Sequence, residues 1–115
     1  MKIERYEFGK IIVDGKTYNK DLILAVDKVY PNWWRKEGHK LQLEDILEVL
    51  ELEQPEVLIV GTGYFGLLRV MDDVKSYLNN KGIKLIEGKT GDVWKVYNKL
   101  AEEKAKVVAA FHLTC

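Results

Sequence analysis

The stretch VLIVGTGYFGLLRVMDDVKSYLNNKGIKLIEGKTGDVWKVYNKLAEEKAKVVAAFHL, residues 57–113, decides the fold, because apolar strands and amphipathic helices alternate along it. Its unbroken apolar run at 57–60 and its mainly apolar segments at 83–86 and 107–113 predict three strands. Strands that are joined by helices lie parallel, since a tight turn cannot connect parallel neighbours. Residues 57–113 therefore predict a βαβαβ unit, a parallel part of a sheet flanked by helices.

The two helices of this unit are marked by apolar residues that recur at three- and four-residue spacing. The faces are Val70, Val74, Tyr77 and Leu78 in the first helix and Val93, Val96, Tyr97 and Leu100 in the second. Asp72, or the pair Met71–Asp72, suits the start of the first helix, and Gly82 suits its end. Thr90 has a side chain that can cap the second helix.

The residues before this unit have a different pattern. Short apolar runs separated by turn residues predict a meander over 3–26, with Asp14-Gly15 at the turn of a hairpin and a further strand at 22–26. Pro31 favours an irregular connection over 28–39. Apolar residues at helical spacing then predict a short helix over 43–50 that ends before Pro55.

Length and pattern together give the fold class. A chain of 115 residues is the size of a single domain, so 1–115 is predicted to form one α/β domain. Its mixed sheet would combine the antiparallel N-terminal hairpin and meander with the parallel C-terminal βαβαβ unit.

The composition excludes several classes of protein. Lys and Arg number 18 and Asp and Glu 18, so no net charge attracts nucleic acid or an anionic membrane. No apolar run approaches the roughly 20 residues that span a bilayer. The first residues lack an apolar signal core, so we expect a cytoplasmic protein. The abundance of Lys with few Gln and Ser is typical of thermophiles.

The usual catalytic groups are scarce. Cys115 is the only cysteine and Ser76 the only serine, and Ser76 lies within a predicted helix. The two histidines, His39 and His112, are too far apart along the chain to show metal-ligand spacing. We therefore expect no metal, no cofactor and no covalent nucleophile. A lone histidine also needs a positioned partner for acid-base work, so hydrogen bonding is the expected role of both histidines.

The motif Gly61-Thr62-Gly63-Tyr64-Phe65-Gly66 matches the dinucleotide fingerprint G-x-G-x-x-G, and Glu87 ends the next strand. Two arguments oppose a dinucleotide. The helix of that fingerprint opens within the glycines, whereas the better helix start here is Asp72. The chain also holds only about one of the two halves of such a fold. Either a sharp structural turn or a small-ligand or anion site at the strand end fits the motif.

Four segments together resemble one known family. They are IIVDGKTYNKDLI at 11–23, NWWRKEGHKLQLEDI at 32–46, VLIVGTG at 57–63 and KTGDVWKVYNKL at 89–100. In this order they resemble the small α/β family of unknown function that includes mitochondrial complex I assembly factor three and the human adipogenesis-associated domain protein. The resemblance implies a cleft where these segments converge, at Trp34, Arg35, His39, Gly61, Thr62, Gly63, Thr90 and Asn98. It implies assembly or regulation and no reaction.

The adjacent Trp33 and Trp34 are expected to face opposite sides of an extended segment. The outward one, beside Arg35, has the composition of an interface hot spot, although it would equally cover a sheet edge. We therefore expect a non-enzymatic interaction or assembly module with a protein partner. The alternative is a protein that binds a small molecule or anion at Gly61, Thr62, Gly63 and Thr90. A homodimer is also compatible with a chain of this size.

Overall fold

The computed structural model describes residues 1–115. The strands are β1 (Ile3–Glu7), β2 (Lys10–Val13), β3 (Lys16–Tyr18), β4 (Leu22–Leu24), β5 (Val29–Tyr30), β6 (Lys40–Leu41), β7 (Val57–Thr62), β8 (Arg69–Val70), β9 (Lys84–Gly88) and β10 (Val107–His112). The helices are α1 (Leu47–Glu53), α2 (Asp72–Lys81) and α3 (Thr90–Glu102), and a 3₁₀ turn, Leu43–Asp45, precedes α1.

A mixed five-stranded sheet with the order β5-β4-β10-β7-β9 forms the centre of the molecule. β7 is parallel to both β9 and β10, whereas β4 is antiparallel to β10. The predicted fold class, α/β with a parallel C-terminal part, is confirmed. The chain moves from β7 to β9 on one side and then returns past β7 to β10, so the direction of crossing reverses at β9.

This reversal places the helices on both faces of the sheet. Two right-handed crossovers that run in opposite directions must lie on opposite faces. On one face, apolar residues of α1 and α2 pack against Leu58, Val60, Val108 and Ala110. On the other, α3 packs against Ile59, Val107, Ala109 and Phe111. No helix has the length and apolar character to cross a membrane.

The N-terminal meander divides between two sheets, which the sequence pattern did not reveal. β1, β2 and β3 form a separate antiparallel sheet, and β4 joins the central sheet through its pairing with β10. The separate sheet lies against α3, where the Ile3 N–H donates to Asn98 Oδ1 at 2.8 Å and Asn98 Nδ2 donates to the Ile3 carbonyl at 2.7 Å. Asn98 therefore fastens β1 to the last helix.

The helix starts differ in part from the predictions. α2 begins at Asp72 after Met71, as expected, and Gly82 ends it with φ +70°. The helix predicted over 43–50 is a 3₁₀ turn followed by α1. The prediction that Thr90 caps α3 is wrong, because Lys89 occupies the N-cap position and no side chain caps the helix there.

Candidate functional site

The carboxyl ends of β7 and β10 lie side by side, and His112 is in register with Thr62. Residues paired in this way point to the same face of the sheet, so both side chains lie on the face that α2 covers. In an open α/β sheet, ligands bind at the carboxyl ends of strands where the crossing direction reverses. The crossovers after β7 and β9 lie on opposite faces, so that place here is between the ends of β7 and β9.

Thr90 occupies the crevice between the ends of β7 and β10. Its buried hydroxyl accepts a hydrogen bond from the Gly63 N–H at 2.9 Å and donates one to the His112 carbonyl at 2.7 Å. A Cβ on Gly61 would lie 2.7 Å from Thr90 Oγ1 and 2.6 Å from Phe111 Cδ1, which leaves room for no residue but glycine. Thr90 therefore links β7 to β10 instead of capping its own helix.

Three amides of the glycine turn are bonded within the chain. Besides the Gly63 N–H, the Tyr64 N–H donates to the Thr114 carbonyl at 2.7 Å and the Gly66 N–H donates to the Gly63 carbonyl at 3.3 Å. The segment after β10 lies over the turn, since a Cβ on Gly63 would approach Thr114 O to 2.6 Å. A phosphate nest needs converging free amides, and these three already have partners.

Beside this turn, Asp21 joins Arg35 to His112. Asp21 Oδ2 lies 2.9 Å from Arg35 Nη1 and 2.7 Å from His112 Nδ1, and Oδ1 accepts the Leu113 N–H at 2.8 Å. Arg35 Nη2 donates to the Gly38 carbonyl at 2.9 Å, and the guanidinium lies 4.6 Å from the Trp33 ring centre. Arg35 is thus a buried ion-pair partner and not part of an exposed hot spot.

The electrostatics of this cluster favour an ionised Asp21. Burial raises the pKa of the Asp21 carboxyl, but the hydrogen bonds from His112 and the Leu113 N–H and the nearby Arg35 outweigh burial and lower it overall. A carboxylate only accepts, so the short contact assigns the proton of the His112 ring to Nδ1. Nε2 of His112 is buried and has no partner.

The remaining candidates lie at the edge of this cluster. His39 is exposed, and its ring centre is 5.8 Å from that of His112. Trp33 donates from Nε1 to the Asp45 carbonyl at 2.9 Å, whereas Trp34 is 76% exposed. The two tryptophans therefore face opposite ways. Of the predicted residues, the structure gathers Arg35, His39, Gly61, Gly63 and Thr90 around His112, while the Trp34 side chain points to solvent.

An aromatic patch that the sequence reasoning missed lies next to the glycine turn. It consists of Phe8, Tyr64 and Phe65, each about half exposed. The ring centres are 5.1 Å apart for Tyr64 and Phe65 and 5.7 Å apart for Phe8 and Tyr64. The signal was present in the motif, because its two central residues are aromatic and lie in a loop where no core requires them.

An open cleft of about 540 Å³ lies on the other side of the glycine turn, between the ends of β7 and β9 and the start of α2. We call it the α2 cleft. Its polar and charged lining residues are Thr62, Arg69, Asp72, Lys75 and Glu87. Of the predicted site residues, only Thr62 lines it.

Comparisons with known proteins give a family and a fold. Residues 3–112 match the model of a family described as protein of unknown function (DUF498/DUF598). The conserved hypothetical protein PH1505 from Pyrococcus horikoshii is similar in structure, with 29% identity, full coverage of both chains and a TM-score of 0.84. A structure described as an outer membrane protein from Bartonella henselae is 28% identical, with 98% of this chain and 94% of that chain covered and a TM-score of 0.83.

A more distant likeness concerns the fold alone. A Bordetella pertussis protein described as an Mth938-like domain is 19% identical, with 97% of this chain and 85% of that chain covered and a TM-score of 0.77.

Proposed function

The chain belongs to the DUF498/DUF598 family of proteins of unknown function, and from its surface we propose that it is a non-enzymatic protein-interaction module of the assembly type. The observation that carries the proposal is the aromatic patch. Three rings in mutual contact remain about half exposed, although burying each would remove a large apolar area from water. Such a cluster is typical of a surface that a partner covers.

The loop geometry supports a preformed surface. Gly63 and Gly66 adopt φ +102° and +74°, and the Tyr64 N–H bond to Thr114 fixes the loop against the segment after β10. Phe8 reaches the same place from the turn between β1 and β2, where the Gly9 N–H donates to the Leu113 carbonyl at 2.9 Å. A patch held by its backbone loses little conformational entropy on binding.

A positive charge at the rim of the patch favours a partner that carries a negative charge. The aliphatic stem of Lys89 lies against the loop, since its Cγ is 3.2 Å from the position of a Cβ on Gly66. Lys89 makes no ion pair within the chain, whereas Lys10, which follows the Phe8 turn, is paired with Glu7 at 3.2 Å. We therefore propose a partner protein that presents apolar side chains next to a carboxylate.

The polar groups of the strand ends support a non-enzymatic role. Thr90, Asp21 and Arg35 each bond to groups of this chain, so they serve to hold the strand ends together. The compartment that we propose is the cytoplasm, because an exposed free thiol, Cys115, suits a reducing environment.

The test compares Phe65→Ala with Leu52→Ala, because both residues are apolar and more than half exposed, and Leu52 lies on α1 outside the patch. Purified, tagged protein captures partners from the lysate of its source, and the affinity of a captured protein is measured after it has been purified. Phe65→Ala should weaken binding by about thirtyfold or more, as hot-spot truncations do, and Leu52→Ala should not. Adding Lys89→Glu to Phe65→Ala should weaken partner binding further.

Equal affinity of wild type and Phe65→Ala would contradict the proposal. So would light scattering that shows a homodimer which Phe65→Ala dissociates, because a second copy would then cover the patch. Trp34→Ala, measured in parallel, separates the patch from the Trp34 surface. A loss of binding with Trp34→Ala alone would overturn the assignment of the docking surface.

A further inference from the structure

We propose that the α2 cleft binds a small zwitterion of the α-amino-acid type, a role that does not depend on the proposed protein interaction. The cleft lies at the carboxyl ends of two parallel strands, where open α/β sheets bind ligands. Its volume of about 540 Å³ suits a single small molecule. Unlike the crevice between β7 and β10, it is not occupied by groups of the chain itself.

Thr62 supplies an unsatisfied polar group in this cleft. The residue is 7% exposed, lines the cleft, and its hydroxyl makes no hydrogen bond to any group of the chain. The Oγ1 atom faces Gly66, another lining residue, at 3.6 Å from the position of its missing Cβ. Its oxygen is open to the cleft and has no partner in the chain, so it is free to bond a ligand or water there.

The cleft is lined by two positive and two negative side chains, of which one positive and one negative form an ion pair. Lys75 Nζ and Glu87 Oε1 lie 3.7 Å apart and form an ion pair. Arg69 and Asp72 line the same cleft and form neither an ion pair nor a side-chain hydrogen bond. A simple anion would meet the carboxylate of Asp72, and a simple cation would meet the guanidinium of Arg69. A molecule with both charges satisfies both groups.

The start of α2 adds a second site for the anionic end. α2 has ten residues and begins at Asp72; the Val74 N–H is bonded to Asp73 Oδ1 and the Met71 carbonyl, which leaves the amides of Asp72 and Asp73 free. Together with the helix dipole they attract a carboxylate. The ligand carboxylate is therefore placed at Arg69, the first amides of α2 and the Thr62 hydroxyl, and its ammonium group at Asp72.

The experiment adds the common free L-amino acids one at a time to isotope-labelled protein and follows the backbone amide resonances. The proposal expects at least one amino acid to move the resonances of Thr62, Gly66 and Asp72 in a saturable way. Its N-acetyl and its carboxamide derivatives, which each lack one charge, should bind about tenfold more weakly or worse. Phe65→Ala should bind the amino acid as wild type does, so this result is independent of the protein interaction.

Two variants test the assigned residues. Thr62→Val removes the hydroxyl at constant shape, so it should weaken amino-acid binding about fivefold to tenfold and leave the urea unfolding midpoint unchanged. Arg69→Gln should weaken binding at least tenfold, while Lys84→Gln, at the opposite end of β9, should have no effect.

Three binding results would overturn the proposal. The first is that no amino acid moves these resonances. The second is that the singly charged derivatives bind as tightly as the amino acid. The third is that inorganic phosphate binds in the cleft and amino acids do not, which would make the cleft a simple anion site. A lower unfolding midpoint for Thr62→Val would also count against it, because the hydroxyl would then have a structural partner.

Discussion

At the scale of single residues, Asp21 connects two buried side chains, Arg35 and His112. Its carboxylate lies against the Arg35 guanidinium, accepts from His112 and accepts the Leu113 N–H. Arg35 is 9% exposed, so its charge has little contact with water and depends on this carboxylate. Removing one partner of a buried ion pair leaves the other charge uncompensated.

We therefore expect Asp21→Ala to lower the free energy of unfolding by about 3–5 kcal/mol. The matched control is Asp27→Ala, because Asp27 is exposed and makes no side-chain hydrogen bond or ion pair. Urea unfolding followed by tryptophan fluorescence measures both. Similar losses for the two variants would show that the Arg35 charge is compensated in another way.

The pH dependence of stability follows from the same carboxylate. The pKa of Asp21 is lower in the folded protein than its ordinary value of 3.8. The ionised form therefore stabilises the fold above pH about 4, and this contribution is lost as pH falls toward the folded pKa. Urea midpoints measured from neutral to acid pH should fall less steeply for Asp21→Asn than for wild type. Parallel curves of urea midpoint against pH for the two proteins would contradict the lowered pKa of Asp21.

The sequence could not identify Asp21, although it did mark Arg35 as a candidate. Asp21 is one of 18 acidic residues, and its partner His112 is 91 positions away along the chain. The contact arises only because β4 pairs antiparallel with β10, a pairing that neither segment specifies by itself. Periodicity reports which face of an element is apolar, and it does not report which strand lies beside it.

At the scale of elements, the turn after β7 is the most constrained segment. Gly63 has φ +102°, and a Cβ there would lie 2.6 Å from Thr114 O and 2.7 Å from His112 Cδ2. Gly82, at the end of α2, also has a positive φ, +70°, but nothing lies within 4 Å of its Cβ position. A comparison of substitutions at Gly63 and Gly82 therefore separates the cost of backbone strain from the cost of steric crowding.

We expect Gly82→Ala to cost about 1–2 kcal/mol of unfolding free energy, from backbone strain alone. Gly63→Ala should cost about 3 kcal/mol or more, because the segment after β10 must move away. Thermal and urea unfolding of both variants measure the difference. Equal costs would mean that Thr114 and its neighbours shift freely, and that the turn is not held by them.

Thr90 shows why the local sequence of a helix does not predict the role of every residue in it. Threonine is a favoured N-cap residue, so its place before a helical pattern predicts that Thr90 caps α3. In the structure a tertiary demand outweighs that preference, because the buried Gly63 N–H and His112 carbonyl need partners that only Thr90 supplies. The role of Thr90 follows from the strand order and not from its local sequence.

At the scale of the whole molecule, the strand order predicts which strands resist local opening most strongly. β7 and β10 each have a hydrogen-bonded neighbour on both sides, whereas β9 and β5 are at the edges. We expect the slowest native-state hydrogen exchange in β7 and β10, and exchange faster by orders of magnitude in β5 and in the two-residue strands β6 and β8. Equal protection of β5 and β7 would contradict this order.

The whole fold was predictable where the pattern was long and periodic. Residues 57–113 indicated the parallel unit and both of its helices, and the family resemblance agreed with them. The split of the N-terminal meander into two sheets was not predictable, because the short runs at 11–13 and 22–24 are equally apolar. The run at 22–24 is the one that joins β10, and Asp21 just before it bonds to His112 and Leu113.

The pairing of β4 with β10 also bears on how the protein is made. β4 leaves the ribosome well before β10, the strand with which it pairs. The bond between Ile3 and Asn98 spans 95 positions, and that between Tyr6 and Leu113 spans 107. The early strands therefore stay without their partners until α3 and β10 have been made, and unpaired strands are the segments most exposed to aggregation during synthesis.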